Sequence, residues 1–277
     1  MQEKDISGFG RLVLTLGLAF LYVPILILIV YSFNSSKLVS VWAEFSTSWY
    51  RVLFNDSDVI AAFGLSVRIA LLASLMSVVL GTLAGMALAR FGRFRGKSLF
   101  AGMLTAPMVM PEVITGLSML LLFIQLKDWF GFPAERGMLT IWIGHVTLCM
   151  AYVTVVIRSR LLEMDRSVEE AAMDLGAKPV KTFFLITLPI IAPAIASSFL
   201  LAFTLSIDDL VITAFLSGPG ATTLPQLIFS RVRLGLNPEI NALASITVLV
   251  VTVLVISANR LMARAERRRS RLAQLAA

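Results

Sequence analysis

Six mainly apolar stretches, about 10–33, 62–89, 99–125, 138–157, 190–216 and 240–262, constrain this chain more than any other feature. A bilayer core about 30 Å thick takes about 20 apolar residues of helix to cross. Inside it every backbone amide must find a partner within the chain, which a helix provides. The expected fold class is therefore an all-α membrane protein with six transmembrane helices, organised as a single transmembrane domain over residues 1–277. Hydrophobic residues make up 58% of the chain and charged residues 15%, the wrong balance for a soluble domain. The connections are too short for a catalytic domain of about 100 residues, so any chemistry must lie in helices or short loops. The first stretch exceeds a secretion-signal core of about 7 to 15 residues. Glu3 and Asp5 beside Lys4, with no small-residue cleavage site following, mark it as a retained helix.

The net charge of +7 sorts by loop instead of forming one face, which argues against nucleic acid as a partner. Seventeen Lys or Arg residues fall in four segments: the start, the loop with Arg90, Arg93, Arg95 and Lys97, residues 158–189, and the tail from Arg260 to Arg271. The alternate connections hold six: Lys37, Arg51, Lys127, Arg136, Arg231 and Arg233. The positive-inside rule then places both termini and the 158–189 loop in the cytoplasm. Arg68, near the outer end of the second stretch, reads as a snorkelling side chain.

Pro24, Pro107, Pro111 and Pro193 fall within the apolar stretches, where neighbouring helices must re-satisfy the freed carbonyls, so the spans form a packed bundle. Gly81, Gly85 and Ala89, at four-residue spacing, allow another helix to approach closely. No internal repeat of the kind that builds secondary transporters from two halves is visible, so six helices are expected to form half of a pore. Trp42, Trp49 and Tyr50 read as interface anchors. After the turn Gly218-Pro219-Gly220, residues 224–233 read as a short amphipathic helix that either lies in the interface or caps the outer mouth.

The 158–189 loop carries five basic and five acidic residues and is helix-forming in its first half. Ser167 with Glu170 matches a capping box, which places a helix start near Val168. Ala171, Ala172 and Leu175 give a small apolar stripe, and Gly176 ends it. Such a helix is either ordinary surface or a docking element held in a partner's groove.

Glu170, Ala171, Ala172, Gly176, Ile186, Leu188 and Pro189 together spell E-A-A-x-x-x-G-x9-I-x-L-P. This resembles the signature of permease subunits of binding-protein-dependent, type I ABC importers, and every signature position matches. The resemblance implies that Glu170 to Gly176 is a coupling helix docked on a separate ATPase subunit dimer. It also implies ATP and Mg on that partner and no cofactor on this chain, a second homologous permease subunit, a periplasmic substrate-binding protein, and a multi-pass location in the bacterial inner membrane. The runs Met110–Gly116, Ser206–Val211 and Asn237–Leu243 resemble the polyamine-import permeases, those of putrescine systems most closely.

Three acids lie in otherwise apolar stretches: Glu112, Asp208 and Asp209. A carboxylate at a helix centre costs about 2.5 to 3.5 kcal/mol to insert and marks function by default, and three of them suit a cationic cargo. Successive helical residues point about 100° apart, so Asp208 and Asp209 face different ways. Asp209 shares a stripe with Ser198, Ala202, Ser206 and Thr213 and is expected to face the pore or the partner subunit. For Asp208 a bond to a neighbouring group is the alternative. For Glu112, beside Pro111, it is capping of a broken helix.

Other features are decoys. Gly92 to Ser98 imitates a phosphate loop but is one residue short of G-x-x-x-x-G-K-[ST] and follows no strand. His145 lacks a partner at metal spacing and reads as a packed, hydrogen-bonded side chain, and no metal site is expected. Cys149 reads as a packed helix position. The tail Arg264–Arg269 attracts anionic lipid head groups. The expected function is import of polyamine, putrescine foremost, by a transport subunit that is not itself an enzyme. The rivals are the same role for spermidine, another organic cation, a peptide or a sugar, or an ion-coupled secondary transporter.

Overall fold

The computed structural model describes residues 8–36, 38, 41–235 and 238–276, with no side-chain detail at 254, 258, 259 and 261–276. Glu3, Lys4, Asp5, Lys37 and Asn237, and the side chains of the tail beyond Arg260, lie outside the described residues. Among the described residues twelve α-helices and one π-helical turn form the chain: α1 Gly8–Tyr31, α2 Ser48–Asn55, α3 Ser57–Arg90, α4 Lys97–Val109, α5 Glu112–Phe130, α6 Met138–Glu163, α7 Ser167–Asp174, α8 Pro179–Thr182, the π turn Phe183–Thr187, α9 Leu188–Ile207, α10 Val211–Leu216, α11 Leu224–Leu234 and α12 Pro238–Ala276. Six helical segments are long and apolar enough to cross a membrane: Gly8–Tyr31, Ser57–Arg90, Glu112–Phe130, Met138–Glu163, Pro179–Ile207 and Pro238–Ser257.

Two of the six expected spans are not continuous. The stretch 99–125 breaks at Met110-Pro111, where Met110 takes the extended conformation (φ −73°, ψ 141°) and ends α4. The ring of a following proline excludes its predecessor from the α region, and Pro111 itself, with ψ 133°, precedes the first turn of α5. By contrast Pro24, Pro107 and Pro193 stay within their helices. The stretch 190–216 breaks at Asp208 to Leu210, between α9 and α10.

The described residues pack as two compact units, those within 1–60 and 228–253 and those within 61–227 and 254–277. In the first, the loop after α1 folds back on itself: Trp49 Nε1 donates to Asn34 O at 2.8 Å, Tyr50 and Ser32 share a hydroxyl bond of 2.6 Å, and Trp42 meets Tyr31 edge-on. Trp49 and Tyr50, read as interface anchors, are thus tied into the loop itself. Arg231 of α11 grips both Asp56 (2.6 Å) and Glu239 (3.2 Å). Burial works to raise the Asp56 carboxyl, but the Arg231 guanidinium and the Val59 and Asp58 amides win and hold it below the ordinary value. A group depressed on folding stabilises above its unfolded pKa and loses that contribution as pH falls through the folded one. Arg231→Ala is therefore expected to flatten the acid limb of the thermal stability profile, read as Tm against pH.

In the second unit α6 is the central rod, with Ile141, Val153, Ile157 and Leu161 fully buried. α3 crosses it at the small residues singled out above. A Cβ built on Gly81 would stand 2.6 Å from Val153 Cγ1, and one on Gly85 3.1 Å from Ile157 Cγ2. Overpacking a filled contact costs about 1 to 3 kcal/mol. Gly81→Val is expected to lower the Tm of the purified chain by several degrees, whereas the open Gly64 tolerates alanine. α9 packs along the other side of α6, where Cys149 sits fully buried with Sγ 3.4 Å from Ala202 O. α10 lodges against α5 and α6 through two further glycines: a Cβ on Gly116 would meet Phe215, and one on Gly144 would meet Leu216 and Ile212.

Candidate functional site: a coupling loop and a broken span

The helix α7 forms where the sequence places it, but its cap differs. Ser167 makes no side-chain cap bond and no capping box with Glu170. Asp165 takes the role, its Oδ1 accepting the Ser167 amide at 3.0 Å, because a carboxylate two residues earlier can reach the orphan donors first. The Ser167 amide and hydroxyl hold the exposed Asp165 carboxyl below its ordinary value. Asp165→Ala is expected to speed amide exchange at Ser167 to Glu170, and in the parent the same protection is lost as pH falls through the Asp165 pKa.

The other end follows the sequence closely. Gly176 lies at φ +87°, a left-handed conformation that only glycine adopts freely. Its amide bonds Met173 O at 2.9 Å, and the Ala177 amide bonds Ala172 O at 3.0 Å. These are the paired bonds of a Schellman ending. Beyond it, the π turn Phe183–Thr187 precedes Leu188 and Pro189, and Pro189 lacks the amide that a continuing helix needs there.

Within the signature, Glu170, Ala171, Gly176 and Pro189 are exposed, while Ala172, Ile186 and Leu188 are half-buried. Leu175 stands out to 91% exposure beside the exposed Val168 and Met173, an apolar surface on a polar loop. What fixes the loop to the bundle is a residue outside the signature. Glu169 Oε2 pairs with Arg90 Nε at 2.8 Å, and Glu169 Oε1 accepts the Thr187 hydroxyl at 2.6 Å. Both partners in the ion pair are largely buried, at 11% and 13% exposure. Arg166 adds a bond from Nη2 to Ala89 O at 2.7 Å, satisfying a carbonyl in the last turn of α3. A cavity of about 280 Å³ opens here, with Arg90, Arg166, Glu169 and Glu170 on its wall.

The three acids of the apolar stretches also separate in their surroundings. Asp209, expected to face the pore or the partner subunit, is 8% exposed within the chain and accepts the Thr213 amide (2.8 Å), the Thr213 hydroxyl (2.9 Å) and the Ile212 amide (3.4 Å). It thereby satisfies the orphan amides at the start of α10. His145 Nε2 lies 3.1 Å from the same carboxylate, and its Nδ1 2.7 Å from Ser206 Oγ. The stripe Ser198, Ala202, Ser206, Thr213 thus faces α6, with each of the four residues buried. A membrane bundle hides its small and polar residues against neighbouring helices and turns its apolar ones outward. His145 is the packed, hydrogen-bonded residue that the sequence suggests.

Asp208 and Glu112 are exposed. Each sits at a break, Asp208 at the end of α9 and Glu112 at the start of α5, and Asp208 is within electrostatic reach of Glu112, Asp209 and His145. Two carboxylates carried on interrupted spans can hold a cation that has shed part of its water. Sequence reasoning passed over Glu169 and the partners of His145. The composition of the stripe, small and polar in an apolar span, was the available signal for the second.

The sequence profile of the binding-protein-dependent transport system inner membrane components matches residues 77–271. The chain is 62% identical over 265 residues, 96% of its own length and 94% of the relative's, to the putrescine transport system permease protein PotI of Escherichia coli (strain K12). It is 40% identical over 246 residues, 89% of this chain and 90% of the relative, to the spermidine/putrescine transport system permease protein PotC of the same organism. Among solved structures, a chain of a bacterial ABC transporter involved in the import of the acidic polysaccharide alginate aligns with TM-score 0.70 and 16% identity, covering 94% of this chain and 98% of that one, so the two share a fold. With its signature loop, six candidate spans and this profile over most of its length, the chain belongs to the family of binding-protein-dependent transport system inner membrane components.

Proposed function

We infer that this chain is the inner-membrane permease subunit of an ABC importer for putrescine, driven by ATP hydrolysed with Mg on a separate ATPase dimer. The observation that carries the reading is the loop 167–189: a complete signature on a helix closed by a Schellman ending, latched to the bundle through Glu169 and exposing Leu175 and Glu170. In this reading the loop and both termini are cytoplasmic, as the arginine distribution favours, and α7 docks on the ATPase. A second permease subunit completes the pore and a periplasmic protein delivers cargo. Asp208 and Glu112 receive the two ammonium groups of the diamine, and Asp209 acts behind them as the cap of α10.

The test is purification of the assembled complex and measurement of ATP-driven uptake in proteoliposomes. Glu170→Ala and Gly176→Val are expected to reduce ATPase association at least about tenfold while the chain still inserts, since a left-handed residue with a branched side chain costs about 1 to 2 kcal/mol before any contact is lost. Normal association and uptake in both variants would remove the loop from the coupling role. The likeness to PotC favours spermidine as the second cargo to assay. Uptake of spermidine without putrescine would transfer the reading to the longer polyamine.

A further inference from the structure

α6 runs without interruption from Met138 to Glu163. At 1.5 Å per residue, His145 stands about 27 Å along this rod from Glu163, where the chain enters the coupling loop. At that point α6 meets the break between α9 and α10, and the His145 ring spans it. Nδ1 contacts Ser206 Oγ in α9 at 2.7 Å, and Nε2 contacts Asp209 Oδ2 at 3.1 Å and Thr213 Oγ1 of α10 at 3.0 Å.

The proton positions follow from the partners. Asp209 Oδ2 already accepts from the amide and the hydroxyl of Thr213, so it is an acceptor toward the ring as well, and Nε2 donates. In the neutral imidazole Nδ1 then accepts the Ser206 hydroxyl. Every polar atom of a ring only 2% exposed is used, and each bond crosses from α6 to one side of the break or the other. An apolar ring of equal size would fill the space and hold neither side.

We propose that His145 is a positioning residue for Asp208: it ties the α9–α10 break to α6, so that motion of α6 at the coupling loop sets where the Asp208 carboxylate stands. The role assigned to Asp208 rests on the cargo reading above, but the positional link does not. It is carried by the unbroken α6, by a ring bonded to both halves of a broken span, and by the adjacency of Asp208 to the Asp209 that the ring holds.

The test uses the full complex, with Cys149→Ser and cysteine-free partner chains, carrying Asp208→Cys. Its labelling rate by a cationic thiosulfonate is measured with and without vanadate trapping of the ATPase. Trapping is expected to change the rate about tenfold with His145 present. That dependence is lost with His145→Phe, which fills the space without the bonds, and is retained in part with His145→Gln, whose amide can donate to Asp209. If His145→Phe fails to assemble, Ser206→Ala with Thr213→Val removes two of the ring's three partners, leaving Asp209 alone, and is expected to cut the dependence from about tenfold to about threefold or less. A rate that still follows trapping in His145→Phe, or that follows it to the parent's full extent in that double variant, overturns the proposal, as does a parent rate that ignores trapping. Failure of the parent to take up putrescine counts only against the cargo reading, because the labelling needs no cargo.

Discussion

Glu169→Ala is expected to abolish most ATP-driven uptake while leaving the chain in the membrane. The substitution removes the acceptor of the Thr187 hydroxyl and, among the described residues, the only counter-ion at ion-pair distance from Arg90. Among the described residues Arg90 Nη2 has no hydrogen-bond acceptor of its own, so the guanidinium depends on Glu169. Removing one partner of a buried pair costs about 3 to 5 kcal/mol. With the pair here 11% and 13% exposed, the lower end applies, about 3 kcal/mol. That is about a 100-fold shift toward loops not held against α3 and the π turn. The expected results are faster amide exchange over Ser167 to Asp174 and cargo-stimulated ATPase falling toward basal. Arg90→Met on the Glu169→Ala background is expected to restore part of the coupling, because an unpaired charge is worse than none. Parent-like exchange and uptake in Glu169→Ala would show that the latch has no part in coupling.

Two adjacent glutamates in the first turn of α7 thus divide the work. Glu170, exposed, belongs to the signature and, in the proposed function, to the surface offered to the ATPase, while Glu169 belongs to the chain's own packing. A helix alone makes the two equivalent candidates for either job. The difference is set by Arg90 at the end of α3, distant in sequence, and by Thr187, which occupies an unspecified position of the signature.

The same physics governs what could be read from the chain. Span number, the helix α7 and its glycine ending were legible because they rest on local rules: apolar length, and a left-handed residue that glycine supplies. The breaks were half legible. Pro111 announces one through its own ring, but nothing at Asp208 to Leu210 resembles a helix breaker. That break exists because Asp209 captures the Ile212 and Thr213 amides while α6 supplies His145 from another helix. The contacts of Asp209 are not legible for a related reason. On a lone helix a polar stripe suggests the wet side, whereas against α6 it forms the tight, dry contact that Gly144 also permits.

The pair of neighbouring aspartates gives the second large effect. Asp208→Asn is expected to lower putrescine uptake at least about tenfold, since losing one carboxylate at a partly desolvated cation site removes about 1.5 to 3 kcal/mol. Assembly, the Tm of the complex and its basal ATPase should stay at parent values, because Asp208 is exposed at the end of α9. Asp209→Asn should show the reverse pattern. One carboxylate oxygen there takes the Thr213 amide and hydroxyl and faces His145 Nε2, and an amide presents two donors where the site offers donors already. Leaving buried groups mismatched costs about 1 to 3 kcal/mol, so the yield and Tm of the assembled complex fall first and uptake falls in proportion. Uptake per assembled complex separates the two aspartates: it is expected to drop in Asp208→Asn and to hold in Asp209→Asn. The opposite split would return the cargo role to Asp209 and require the break to open during transport, because no cation reaches a carboxylate 8% exposed and bonded on every side while the break is closed.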